Sequence, residues 1–274
     1  MRLLDSISSS GLICRCCGNK VYSLSGANES VCNFCEAYVS SRDKDVVHGN
    51  RDIENNLGLM QSSAASGRWV DGAAAADSLA ATNDPCFLYG ASSFYRFFSD
   101  HTYYGVDYNL GGFMYSNAEK RSDEVQRNKY NAVALISKSK EFLFKSLKII
   151  NASPNPEDHL LFIKFMANVK LNRLDHAQKT LAEIGGRQNM DMVKFYANTV
   201  WMVNGGKKLS DKYIDEGVTY GLSNILYYLA ISAAKHGDLD GAINMLDQLA
   251  PRSNMPAALY AGIRLRDIRN ASSI

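Results

Sequence analysis

HLLFIKFMANVKLNRLDHAQKTLAEIGG, residues 159–186, and NILYYLAISAAKHGDLDGAINMLDQLAP, residues 224–251, decide the fold. They align without a gap at an offset of 65 (224 − 159). Leu161 falls on Leu226, Lys170 on Lys235, Leu174-Asp175 on Leu239-Asp240, Ala177 on Ala242 and Leu181 on Leu246. Each copy has apolar residues at helical spacing on both sides of a polar break, and so reads as two helices joined by a tight turn. In KHGDLDGA, residues 235–242, Gly237 ends the first helix and Asp238 caps the second. The small side chain of Ala242 lets the two helices pack closely.

The turn KHGDLDGA and the offset, about twice a period of roughly 34 residues, resemble the tetratricopeptide repeat. The resemblance predicts a further unit between the two copies. DMVKFYANTVWMVNGGKKLSDKYIDEGVTYG, residues 191–221, fills that gap, with one helix to Val203, a break at Asn204-Gly205-Gly206 and a second helix from about Leu209. Upstream, SGRWVDGAAAADSLAATNDP (66–85) has the same grammar of Gly67, Ala73 and Pro85, preceded by a helix over 53–65. Another helix ends near Ile150, and the next starts after Pro156. About five helical hairpins are expected from 52 to 254, with a terminal helix from Pro256 to about Arg269.

The fold class expected is therefore mostly α: an α–α superhelix similar to tetratricopeptide solenoids, spanning 52–270. Such a resemblance implies a groove lined by the first helices, which grips a peptide or a helix of a partner protein. Phe162, Lys164, Phe165 and Tyr228 fall on that side.

The second decisive stretch is CRCCGNKVYSLSGANESVCNFC, residues 14–35, which holds five of the six cysteines and leaves only Cys86 elsewhere. Cys14 and Cys17 form one pair, Cys32 and Cys35 another, and fourteen residues separate them. Two such pairs surround a tetrahedral cation. Gly18 suits a turn needing positive φ, and KVYSLSGANESV reads as strand, turn and strand between the pairs. The pattern resembles a zinc ribbon over about 11–40, within a head domain of 1–45. The metal ligands expected are Cys14, Cys17, Cys32 and Cys35. Cys16 leaves the first pair open to Cys14–Cys16 or Cys16–Cys17, and His48 is an alternative ligand. Four cysteines also suit an iron–sulfur cluster. Four sulfur ligands leave no open coordination position, so the expected Zn²⁺ is structural.

Between hairpins, residues 87–115 contain eleven Phe or Tyr residues. Gly105, Gly111 and Gly112 break any helix period there, so an aromatic insertion is expected at about 99–121. Tyr103, Tyr104, Tyr108, Phe113 and Tyr115 are its candidate partner-binding residues, because buried aromatic anchors dominate protein interfaces. The rings before Ser99 read as core. The lysines of the following helix, Lys138, Lys140, Lys145 and Lys148, read as a solvated face.

Composition excludes more than it names. Of 274 residues, 46% are hydrophobic and 21% charged, which supports a packed core. Lys plus Arg number 30 against 28 Asp plus Glu, a balance that gives no reason to expect nucleic acid as main partner. No phosphate-binding glycine loop, paired-histidine motif or nucleophile elbow occurs, so an enzyme is not expected. No run of about 20 apolar residues is present, so no transmembrane segment is expected. A reducing cytoplasm is the expected compartment, with a place beside a membrane-associated complex such as a secretion machine. The function expected is an adaptor or scaffold subunit that binds other proteins. The alternative is a nucleic-acid-associated factor whose ribbon contacts DNA or RNA while the repeats recruit protein.

Overall fold

The computed structural model describes residues 8–23, 28–43, 47, 49–104, 122–188, 190–210, 212–253 and 255–272. Among them are four short strands, β1 (Ser8–Ile13), β2 (Lys20–Ser23), β3 (Glu29–Val31) and β4 (Tyr38–Ser40). Eleven helices follow and make the chain mostly α: α1 (Arg51–Ala65), α2 (Trp69–Ala81), α3 (Pro85–Tyr104), α4 (Ser122–Ala152), α5 (Asp158–Lys170) and α6 (Leu174–Gly185), then α7 (Asp191–Asn204), α8 (Lys212–Tyr220), α9 (Asn224–Lys235), α10 (Leu239–Ser253) and α11 (Pro256–Ala271). They form two compact units. One, called the C-terminal unit for its helices α5–α11, comprises Met1–Cys14, Lys20–Ser41 and Glu157–Ile274; the other, called the N-terminal unit for its helices α1–α4, comprises Arg15–Asn19 and Arg42–Pro156.

The turns carry the repeat at the level of single hydrogen bonds. Arg173 N–H donates to Asn168 O at 2.8 Å, and Asp238 N–H donates to Ala233 O at 3.1 Å. Both partners in the second bond lie 65 residues beyond those in the first. The residues before the donors, Asn172 and Gly237, have φ of 56° and 94°. This is the Schellman closure of a helix, in which a left-handed residue turns the chain out and satisfies the terminal carbonyls. Asparagine fills the position in one copy because its short polar side chain tolerates that region. Matching bonds run from Arg68 to Ser63, Lys207 to Met202 and Leu222 to Gly217. Past the turn, Gly241 N–H donates to Asp238 Oδ1 at 2.9 Å, the expected cap. Ala177 and Ala242 are fully buried where helix pairs approach. Helix α8 begins at Lys212, three residues after the start expected from sequence.

In the N-terminal unit, the antiparallel pair α3–α4 is closed by serines at a spacing of seven residues. Ser146 Oγ donates to Pro85 O at 2.9 Å, Ser139 Oγ to Ser92 O at 2.8 Å and Ser99 Oγ to Ala132 O at 2.7 Å. Pro85, Ser92 and Ser99 line one helix, and Ala132, Ser139 and Ser146 the other, a heptad register with small residues at the seam. Ser139 is buried, so Ser139→Leu forces the helices apart. A stability loss of about 2 kcal/mol is expected in urea unfolding; an unchanged midpoint contradicts this register. Beside the seam lies a ring cluster. Trp69 stacks on Phe98 (6.3 Å, 13°) and tilts on Phe94 (5.2 Å), and Tyr95 meets Phe142 at 5.7 Å. The rings before Ser99 are therefore core, as their helical spacing implies.

Helix α3 continues through residues 99–104, and residues 105–121 lie outside the described residues.

Candidate metal centre

Each cysteine pair sits in the loop of its own two-stranded hairpin. β1 pairs antiparallel with β2 around Cys14 and Cys17, and β3 pairs with β4 around Cys32 and Cys35. The strand–turn–strand pattern of residues 20–31 predicts a hairpin of β2 with β3; among the described residues they belong to separate sheets. A Cys-x-x-Cys turn reverses the chain, so the strands that enter and leave it pair with each other. In the second loop, Glu36 N–H donates to Cys32 O at 2.9 Å and Cys32 N–H to Ala37 O at 2.8 Å.

The sulfur atoms of Cys14, Cys17, Cys32 and Cys35 lie within 4.8 Å of one another, and all four residues have 0% exposure. Cys14 Sγ and Cys35 Sγ are 3.6 Å apart, and none of the six cysteines is in a disulfide. A tetrahedral ion with Zn–S bonds of about 2.3 Å places sulfurs about 3.8 Å apart, so the donor set fits such an ion. Burial strongly disfavours thiolates without a compensating cation. Cys16, the alternative ligand, lies outside the cluster, and His48 lies outside the described residues.

Both pairs are followed by a left-handed residue, Gly18 at φ 75° and Glu36 at φ 66°. In the N-terminal unit a Cβ on Gly18 would stand 2.9 Å from Leu57 Cβ, so glycine answers both the backbone and the close approach of α1. Arg15 reaches to 3.6 Å from Asp84, whose Oδ1 caps α3 by accepting from Cys86 N–H at 2.7 Å.

In the C-terminal unit, Glu36 shows what a side chain adds at the equivalent position. Its left-handed backbone costs about 1 kcal/mol. Its carboxylate is buried and accepts from Tyr228 Oη at 2.6 Å and Tyr196 Oη at 2.9 Å, both at Oε1. Lys170 Nζ stands 3.6 Å from Oε2 and donates to Cys35 O at 2.8 Å. Asn224 Nδ2 donates to Cys32 O at 3.2 Å, and Ser223 Oγ to Asn33 Oδ1 at 3.2 Å. The carbonyls of two expected metal ligands are thus held by α5 and α9, and the residue after them by α7 and α9.

The structure places the three aromatic groove candidates inside this packing. Phe162 and Phe165 are fully buried, and Tyr228 is buried with its hydroxyl on Glu36. Phe162, Tyr196 and Tyr228 form a chain of edge-on rings at 6.0 and 5.7 Å. Lys164 pairs with Glu183 at 3.2 Å. From α5, α7 and α9, Lys170, Tyr196, Asn224 and Tyr228 reach the second cysteine loop. Of the aromatic candidates, Tyr103 is 46% exposed at the end of α3 and meets Tyr104 edge-on at 4.8 Å. Tyr108, Phe113 and Tyr115 lie outside the described residues.

Burial pushes the phenols of Tyr196 and Tyr228 well above their ordinary range, and the Glu36 charge adds to the effect. Both stay neutral when folded and ionise near pH 10 when unfolded. Their contribution to stability is present in full below about pH 10 and falls as pH rises beyond it. In an alkaline titration, phenolate absorbance from these two tyrosines should appear only together with loss of helical signal. Full phenolate absorbance with intact helices would contradict the buried network.

The chain matches no family model, no curated protein and no solved structure.

Proposed function

We propose that the chain is a non-enzymatic adaptor or scaffold subunit: tetratricopeptide-like helical hairpins carrying a structural zinc ribbon, which binds partner proteins inside a larger assembly such as a secretion machine. The observation that carries this reading is the closed centre. Four fully buried cysteines have their sulfurs within 4.8 Å of one another; around one ion they would complete a tetrahedral shell with no position for a substrate or an activated water. Lys170 and Asn224 fasten the carbonyls beside those sulfurs to helices, so the ion serves as a structural pin. The zinc ribbon resemblance supports zinc as that ion. Among the described residues no helix is long and apolar enough to cross a membrane.

Tagged chain cross-linked and purified from its native cell tests the reading. A reproducible set of proteins in fixed proportion, with a native size well above one chain, is the expected result. A chain that elutes alone as a monomer from the same lysate contradicts it.

A further inference from the structure

Four of the eight large apolar side chains exposed among the described residues lie on one helix, α4: Tyr130, Val133, Phe144 and Ile149. Three of these, 78%, 60% and 50% exposed for Tyr130, Val133 and Phe144, share a stripe. Tyr130, Val133, Ser137, Lys140 and Phe144 follow one another at steps of three, four, three and four residues, and Lys148 continues the line one turn further. That alternation is the heptad spacing by which one helix receives another. The same helix already spends a different heptad stripe, Ala132, Ser139 and Ser146, on α3. The outer stripe is about 27 Å long at 1.5 Å per residue. Ser137 Oγ donates back to Val133 O at 2.9 Å, so that position offers a small surface to a neighbour.

We infer that this outer stripe of α4 is a docking seam for an amphipathic helix of a partner protein with Asp or Glu flanking its apolar face. The inference rests on the adaptor reading and names where a partner sits. The charge of the stripe selects the occupant. Glu141 is held by Lys145 at 2.6 Å. Lys140 and Lys148, one turn either side of Phe144, make no ion pair among the described residues and are exposed. A second copy packed antiparallel about Phe144 would set Lys140 against the other copy's Lys148, a like-charge clash. Two unpaired cations about 12 Å apart are too few to hold a nucleic acid backbone firmly. An acidic helix satisfies the heptad, the aromatic knob and both lysines together.

The test uses two labelled synthetic helices of about 20 residues with the same leucine seam, one flanked by Glu and the other by Lys. Fluorescence anisotropy reads their binding to the full chain. The Glu helix is expected to bind at least about tenfold more tightly than the Lys helix, and less tightly as salt rises. Phe144→Ala and the double variant Lys140→Glu/Lys148→Glu should each weaken it about tenfold or more while leaving the circular dichroism spectrum unchanged. Equal binding of the two helices, binding of neither, or variants that bind as wild type would overturn the seam. Self-association in sedimentation, or binding to anionic phosphatidylserine vesicles, would also overturn it if lost in those variants. Capture from the native cell separates the two readings. If Phe144→Ala retains every partner of the wild type, the seam fails and the adaptor stands; if the wild type retains none, the adaptor reading fails.

Discussion

Cys32→Ser should release the metal and cost on the order of 5 kcal/mol, with the damage reaching well beyond the cysteine loop. Structural zinc contributes folding free energy directly, about 10 kcal/mol or more in isolated zinc-binding peptides. Here Cys32 O also accepts from Asn224 Nδ2 and from Glu36 N–H. Once the loop loosens, the carboxylate that accepts from Tyr196 and Tyr228 is displaced, and two buried hydroxyls lose their acceptor. Each such orphan costs about 1–3 kcal/mol. Metal counting and a thermal melt followed by circular dichroism check the effect. The melt should fall by well over 10 °C, since each kcal/mol shifts the midpoint by several degrees in a domain of this size. Hydrogen exchange should show lost protection around Lys170, Tyr196 and Asn224. Retained zinc with an unshifted melt would remove Cys32 from the ligand set.

Gly90→Ala should be nearly as damaging, at about 4 kcal/mol or more. In the middle of a helix, glycine to alanine normally stabilises by up to about 1 kcal/mol. Here an added Cβ would lie 1.7 Å from Cys16 O and 2.5 Å from its carbonyl carbon. Both are backbone atoms of the first cysteine loop, so no rotamer change relieves the clash. Helix α3 must retreat or the loop must move, and Cys17 in that loop belongs to the sulfur cluster. Large losses of this kind come from a short list of mechanisms, and forced backbone overlap is among them. The check is a urea unfolding curve together with metal content, both of which should fall. A variant as stable as wild type would place Cys16 elsewhere than against α3. Cys16 is then conspicuous for its carbonyl rather than its thiol.

The helical hairpins were legible because their signals are local. A Schellman turn needs only a left-handed residue at the right place, and the 65-residue offset marks Asn172 and Gly237 as equivalents. The pairs α1–α2, α5–α6, α7–α8 and α9–α10 close on such turns, and apolar periodicity marks the helices themselves. The clustering of Cys14, Cys17, Cys32 and Cys35 was legible too, because Cys-x-x-Cys spacing is itself the geometry of the loop.

Exposure was not legible, because it depends on what folds back from a distance. Phe162, Phe165 and Tyr228 have the spacing of a groove, yet all three are buried, and Tyr228 donates to Glu36, 192 positions earlier. Glu36 gave no signal, since a glutamate after a cysteine pair reads as a surface residue until two tyrosines are seen on it. The serine register of α3 and α4 was hidden for a related reason. Single serines inside helices look like weak helix formers, and only the partner helix shows that each closes a carbonyl.

X-ray absorption at the zinc edge on purified chain tests the central claim most directly. One zinc per chain, coordinated by four sulfurs at about 2.3 Å with no nitrogen or oxygen neighbour, is the predicted result. Folded chain without zinc, or zinc with a nitrogen or oxygen in its shell, would contradict it.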